Sequence, residues 1–143
     1  MLQEDTFTFD SPAGGAVAIA PTRRARIVVA DDHLLTRAGL RAVLADDPEF
    51  ELVGEASNGG EAVALSRSLQ PDLVLMDVNL PGISGLEATR RIRTAHPGTV
   101  VLLLSSRDAL DIEQDAADCG AAAYVPKSMF GSRRLIEAWA AAT

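Results

Sequence analysis

A chain of 143 residues, 48% apolar and 23% charged, is long enough to bury one sizeable core and too short for two. Its formal charge of −7 argues against a general nucleic-acid surface, and a single cysteine, Cys119, excludes an internal disulfide and a cysteine metal cluster. No apolar run is long enough to span a bilayer and the N-terminus lacks the basic-then-apolar order of a signal peptide, so a cytoplasmic protein is expected.

In chain order, residues 1–25 mix Gly, Pro, Ser, Thr and scattered acids without periodicity, which predicts a flexible N-terminal tail ahead of one folded domain over residues 26–143. Ile27 to Ala30 is a β-branched strand ending at Asp31-Asp32. A helix follows over Leu34 to Ala45, with Leu35, Ala38, Leu40, Val43 and Leu44 as its apolar positions. Phe50 to Ala56 reads as a second strand. Asn58 with Glu61 three residues on then opens a helix through Leu69 as a capping box. Leu73 to Met76, bounded by Pro71 and Pro81-Gly82, is a third strand buried on both faces, and it stops at Asp77. Ser84 with Glu87 is a second capping box, for a helix that Pro97-Gly98 terminates. Val100 to Leu104 is the fourth strand, ending at Ser105. A thinly amphipathic, acid-rich helix from Asp108 to Cys119 closes at Gly120, a left-handed cap. Ala122 to Val125 is a short fifth strand leading into Pro126-Lys127, and Ser132 to Ala142 is a last helix with Leu135, Ile136 and Trp139 on one face.

Five strand-helix units in succession predict an α/β fold, a flavodoxin-like doubly wound parallel sheet of order 2-1-3-4-5. All strand carboxyl ends then share one edge, which gathers Asp31-Asp32, Asp77, Ser105 and Lys127. Lys127 is the single lysine among thirteen basic residues. Carboxylates brought this close repel unless a cation intervenes, and an oxygen-only donor set suits Mg²⁺, which keeps waters and accepts a phosphate oxygen. Asp32, Asp77 and a backbone carbonyl supply part of such a shell, and Lys127 can reach the same phosphate. Read singly, Asp77 could be a turn cap. It is its convergence with Asp31, Asp32, Ser105 and Lys127 that points to phosphoryl and metal chemistry.

That ordered set, Asp31-Asp32-His33, Pro71 to Asp77, Leu80-Pro81-Gly82, Ser105 and Tyr124-Val125-Pro126-Lys127, resembles the response-regulator receiver domains of two-component systems, in particular those of LuxR-type regulators. The resemblance runs from about Arg26 to Ala142. It implies that Asp77 accepts a phosphoryl group from a sensor histidine kinase or phosphotransfer protein. Asp31, Asp32 and Asp77 with the carbonyl of Asn79 would hold Mg²⁺, Lys127 would contact the phosphoryl oxygens, and Ser105 and Tyr124 would form the switch. The protein would then be a phosphoacceptor rather than an enzyme, and its output partner would meet the face made by helix 4, strand 5 and helix 5. Asp108, Asp111, Glu113, Asp115 and Asp118 make helix 4 acidic, and a basic partner is expected there. Arg133 and Arg134 could pair with these acids within or between chains, so a homodimer is left open. LuxR-type regulators continue into a helix-turn-helix domain. This chain ends at Thr143, so it reads as a stand-alone receiver or the receiver portion of a longer DNA-binding regulator, with no nucleic-acid or membrane contact of its own. Two other readings stand beside this one. A pseudo-receiver would keep the fold without taking phosphate. A haloacid-dehalogenase-like phosphatase would use Asp77 as nucleophile but wants an acid where Asn79 stands.

Overall fold

The computed structural model describes residues 24–106 and 109–143. Five strands alternate with five helices: β1 (Ala25–Ala30), α1 (Leu34–Ala45), β2 (Phe50–Ala56), α2 (Gly59–Leu69), β3 (Leu73–Asp77), α3 (Gly85–Ala95), β4 (Val100–Ser105), α4 (Ala109–Cys119), β5 (Ala123–Pro126) and α5 (Ser132–Ala142). A single turn of 3₁₀ helix over Lys127–Met129, not anticipated from the sequence, joins β5 to α5. The sheet is wholly parallel in the expected order, β2-β1-β3-β4-β5. β1 begins at Ala25, where the expected tail ends; residues 1–23, which carry the rest of that expectation, lie outside the described residues.

The continuous apolar runs of the central strands have a two-sided burial to satisfy. Successive side chains point to opposite faces of a strand. Ile27, Val29, Leu73, Leu75, Leu102 and Leu104 accordingly pack with Leu40 and Leu44 of α1 and Leu135 of α5. Val28, Ala30, Val74, Met76, Val101 and Leu103 pack with Ala62 of α2, Ala88 and Ile92 of α3, and Ala116 and Cys119 of α4. Two helices therefore cover one face and three the other.

Three apolar positions expected to face the core, Leu35, Ala38 and Ile136, are on the surface instead. Leu35 is 88% exposed, and Ile136 is 41% exposed. A helix turns about 100° per residue, so Leu35 lies roughly 140° around α1 from the buried Leu40. Ile136 sits at the rim of the stripe that buries Leu135. Cys119 is buried, as expected of a small apolar residue, and its Sγ lies 3.3 Å from the carbonyl of Ala116. Among the described residues no helix is long and apolar enough to cross a membrane.

The pairing of β1 with β2 contains one irregularity. Ile27 stands opposite Leu52 but Val28 stands opposite Gly54, so Val53 is an extra residue in β2. Beyond this bulge the facing of β2 is reversed. Glu55 now pairs with Val29 and shares its face, the one that α1 covers.

Candidate functional site

The carboxyl edge of the sheet gathers the acids. Asp31 follows β1, and its amide still donates to the carbonyl of Ala56, which extends the pairing with β2 by one residue. Its carboxylate is fully buried. One oxygen, Oδ1, accepts the backbone amide of His33 at 2.8 Å, folding the chain into an Asx turn that carries Asp32 and His33 out of the sheet. Asp32 is exposed. The imidazole Nδ1 of His33 lies 3.2 Å from Oδ1 of Asp31 and 3.2 Å from Oδ1 of Asp32, between the two carboxylates.

Asp77 closes β3 and is only 2% exposed. It repeats the arrangement of Asp31, with Oδ1 accepting the amide of Asn79 at 3.1 Å. The other aspartate of this strand segment, Asp72, sits at the opposite edge and serves the fold: its carboxylate accepts the amide of Arg26 at 2.8 Å. The loop after Asp77 is pinned from several sides. Val78 donates to the carbonyl of Leu104, and Gly85 donates to that of Val78. At Gly85 a Cβ would stand 2.0 Å from the carbonyl oxygen of Asp77, and at Gly59, the start of α2, it would stand 2.3 Å from that of Ile83. Only glycine fits at either position.

Lys127 enters from β5, two strands away. Its Nζ lies 2.8 Å from Oδ2 of Asp31 and 3.1 Å from Oδ2 of Asp77. Burial pushes the Asp77 carboxyl above its ordinary value, opposed by the Asn79 amide and the Lys127 ammonium, while the charge of Asp31 adds to the rise. Burial alone would lower the pKa of Lys127, but its contacts with Asp31 and Asp77 outweigh it and hold the ammonium above its ordinary value. Ser105, the last residue of β4, is fully buried and occupies the row beyond Asp77 between the two flanking strands. Tyr124 lies on β5 opposite Leu103, half-buried against the α2–α4 side of the core.

Ligand-capable atoms of Asp31, Asp32, His33 and Asp77 all fall within 4.8 Å of one another. The cluster sets three carboxylates against one ammonium, which contacts Asp31 and Asp77, and an excess of negative charge remains. The oxygens are hard donors on rigid turns, one of them exposed, so the donor set fits a small divalent cation that retains water.

The sequence-predicted residues Asp31, Asp32, Asp77, Asn79, Ser105 and Lys127 thus lie along one edge, with Tyr124 on β5 one row below Asp77. Past the Ala56 carbonyl that receives the Asp31 amide, the end of β2 turns to capping α2 instead. Asn58 caps α2 by accepting the amide of Glu61 at 2.8 Å, and Glu61 returns its carboxylate to the amide and hydroxyl of Ser57, one residue earlier than in an ordinary capping box. At α3 the box is half made. Ser84 accepts the amide of Glu87, whose carboxylate is taken by Arg90 and Arg91. Asp115 and Asp118 of the acidic helix α4 are exposed, and Arg133 pairs with Glu137 of its own helix at 3.5 Å. Arg107, Asp108 and the side chains of Asp111 and Glu113 lie outside the described residues.

Sequence reasoning gave no role to His33 or Arg37. His33 was visible as part of the motif, yet nothing in the residue string says that its ring falls between two carboxylates. Arg37 donates through Nη1 to the backbone carbonyl of Asp31 at 2.7 Å. Its position one helical turn after His33 was the available signal.

Residues 27–140 match the family model for the response regulator receiver domain. Among curated relatives, the transcriptional regulatory protein DegU of Brevibacillus brevis is 41% identical over 113 residues, covering 79% of this chain and 48% of DegU. The response regulator GacA of Pseudomonas viridiflava is 39% identical over 113 residues, covering 79% of this chain and 52% of its own length. This chain therefore spans about half the length of the curated relatives it matches. A LuxR-family two-component response regulator from Aurantimonas sp. SI85-9A1 superposes with a TM-score of 0.76 at 37% identity, over 83% of this chain and 84% of that one. The signal receiver domain of the putative response regulator NarL from Mycobacterium tuberculosis gives 0.75 at 32% identity, over 80% and 94%. With the fold, the acidic edge and the family match in agreement, the chain belongs to the response regulator receiver domain family of two-component signalling.

Proposed function

We propose that this domain takes a phosphoryl group onto Asp77 from the phosphohistidine of a sensor histidine kinase or phosphotransfer protein, and that the modified carboxylate alters the face built from α4, β5 and α5. The observation that carries this is the placement of Lys127, with one ammonium set against the buried carboxylates of both Asp31 and Asp77. In the transfer an Asp77 oxygen forms a bond to phosphorus as the phosphorus–nitrogen bond of the donor breaks. The electron pair returns to the donor imidazole, which takes up a proton from solvent. Lys127 stands where charge accumulates on the equatorial oxygens, and the Asn79 amide holds Asp77 in position to attack. Asp31, Asp32, Asp77 and the carbonyl of Asn79 would hold Mg²⁺, which supplies charge neutralisation at the transferring group when bound.

The role of Ser105 follows from its row beside Asp77, where its hydroxyl can donate to a phosphoryl oxygen. Tyr124, half-buried on the next strand, is the neighbour that can turn inward in response. The domain is thus a phosphoacceptor acting in the cytoplasm, and its output goes through a protein partner on that face. A second copy of the chain is one such partner. The longer relative DegU is named a transcriptional regulatory protein, and the receiver portion of such a regulator is the second setting in which this domain would act.

Incubation with Mg²⁺ and acetyl phosphate, followed by intact mass, tests the reading. A gain of one phosphoryl group is expected in the wild type and none in Asp77→Asn. No gain in the wild type, or a gain that survives the substitution, overturns it.

A further inference from the structure

The β1–α1 turn is held by more than its own Asx turn. We infer that Arg37 is a positioning residue for the cation site, fixing the peptide between Asp31 and Asp32 and thereby the direction in which Asp32 leaves the sheet; the inference rests on the proposed Mg²⁺ role of these acids.

The bulge in β2 makes this contact possible. In unbroken register Glu55 would stand opposite Ala30 and face α2; the extra residue moves it opposite Val29, facing α1. There its carboxylate meets two arginines of that helix, with Nε of Arg37 at 3.3 Å and Nε of Arg41 at 2.8 Å. Arg41 draws the Glu55 carboxyl below its ordinary value, so the carboxylate stays charged as an anchor. Arg37 is largely covered, its side chain 15% exposed, with one end of its planar fork in a hydrogen bond and the buried Nε at ion-pair distance from Glu55 without a hydrogen bond of its own. While Nε faces Glu55, Nη1 donates to the Asp31 carbonyl at 2.7 Å.

A carbonyl and the following amide share one rigid plane. Holding the Asp31 oxygen therefore sets the orientation of the whole peptide that leads into Asp32. The contact is with the main chain, not with either carboxylate, so its effect is orientation rather than charge pairing. Groups that orient ligands in this way typically change metal affinity by about 10–100-fold when removed.

The sign of the effect separates orientation from charge. A guanidinium beside an acidic cluster repels a divalent cation, so if charge alone mattered Arg37→Ala would tighten Mg²⁺ binding and Arg37→Lys would leave it unchanged. Positioning by a two-ended fork predicts that both variants weaken it, by about tenfold or more. The test is calorimetric titration of Mg²⁺ into wild type, Arg37→Ala and Arg37→Lys, with amide exchange at Asp32 and His33 followed in the metal-free proteins. Weaker binding in both variants together with faster exchange supports the inference. Tighter or unchanged binding in Arg37→Ala overturns it. Should Arg37→Ala fail to fold, Arg37→Lys decides alone, and a dissociation constant within twofold of wild type overturns the inference. Failure of the wild type to bind Mg²⁺ would instead sink the underlying reading of the acids, so the two failures are distinguishable.

Discussion

Lys127 reaches Asp77 across two strands: its Nζ lies 3.1 Å from the Oδ2 of an aspartate that belongs to β3, while the lysine itself follows β5. The contact ties the edge of the sheet to its centre and leaves Ser105 of β4 in the row between. Replacing Lys127 by Met should therefore cost stability as well as phosphate uptake. Two buried carboxylates would lose their shared cation, a loss of about 3 kcal/mol at neutral pH in the absence of metal. Denaturant unfolding at pH 7 and pH 4 checks this, because the deficit should shrink at the lower pH as Asp77 takes up a proton.

Asp77 itself should oppose folding when ionised. Its pKa is raised in the fold, chiefly by burial. The stability it contributes is thus fully present below its ordinary value of 3.8 and is lost as pH rises through the higher folded value. Asp77→Asn, which cannot ionise, should melt above the wild type at pH 7 without metal, and the gap should close below pH 3.8. Melting curves across that range are the measurement; a variant less stable than wild type at pH 7 contradicts the prediction.

Glycines at helix starts and interiors should respond oppositely to a single methyl group. Gly85→Ala places a Cβ 2.0 Å from the Asp77 carbonyl oxygen, which forces the start of α3 away from β3 and costs about 1–3 kcal/mol. Gly39, inside α1, has nothing within 4 Å of an added methyl, and Ala there should add up to about 1 kcal/mol through helix propensity. Thermal melts of the two variants, with phosphorylation rates for Gly85→Ala, test the pair.

Gln70 ends α2 in the left-handed region with φ of 47° and is the one non-glycine with positive φ among the described residues. Its amide still closes the helix on the carbonyl of Ser66. Gln70→Gly should relieve the backbone and stabilise the domain by about 0.5–1 kcal/mol, read from chemical denaturation with an unchanged m-value.

Much of this architecture is legible in the residue string because the strands are short and continuously apolar. Leu73 to Met76 has no polar face to expose, so burial on both sides and a covered parallel sheet follow directly. The acids were legible for a related reason, since a charged residue that ends such a run has only the carboxyl edge to occupy. What escaped depended on direction rather than identity. Leu35 shares a helix with Leu40 but not a face, and five residues of rotation separate them. The bulge at Val53 redirected Glu55, and its one local sign was Gly54 inside a strand. His33 and Arg37 follow the acids in the sequence, but their contacts depend on how the β1–α1 turn closes, which only the folded chain determines.

The two glycines that crowd the loop after Asp77 also assign motion. With Gly85 against the Asp77 carbonyl and Gly59 against that of Ile83, this loop has no slack on either flank. A chemical event at Asp77 therefore acts on a stationary anvil, and displacement passes to neighbours that can yield. Ser105, one row beyond Asp77 on β4, is touched by neither glycine, so a message sent from Asp77 has a direction before any partner is present.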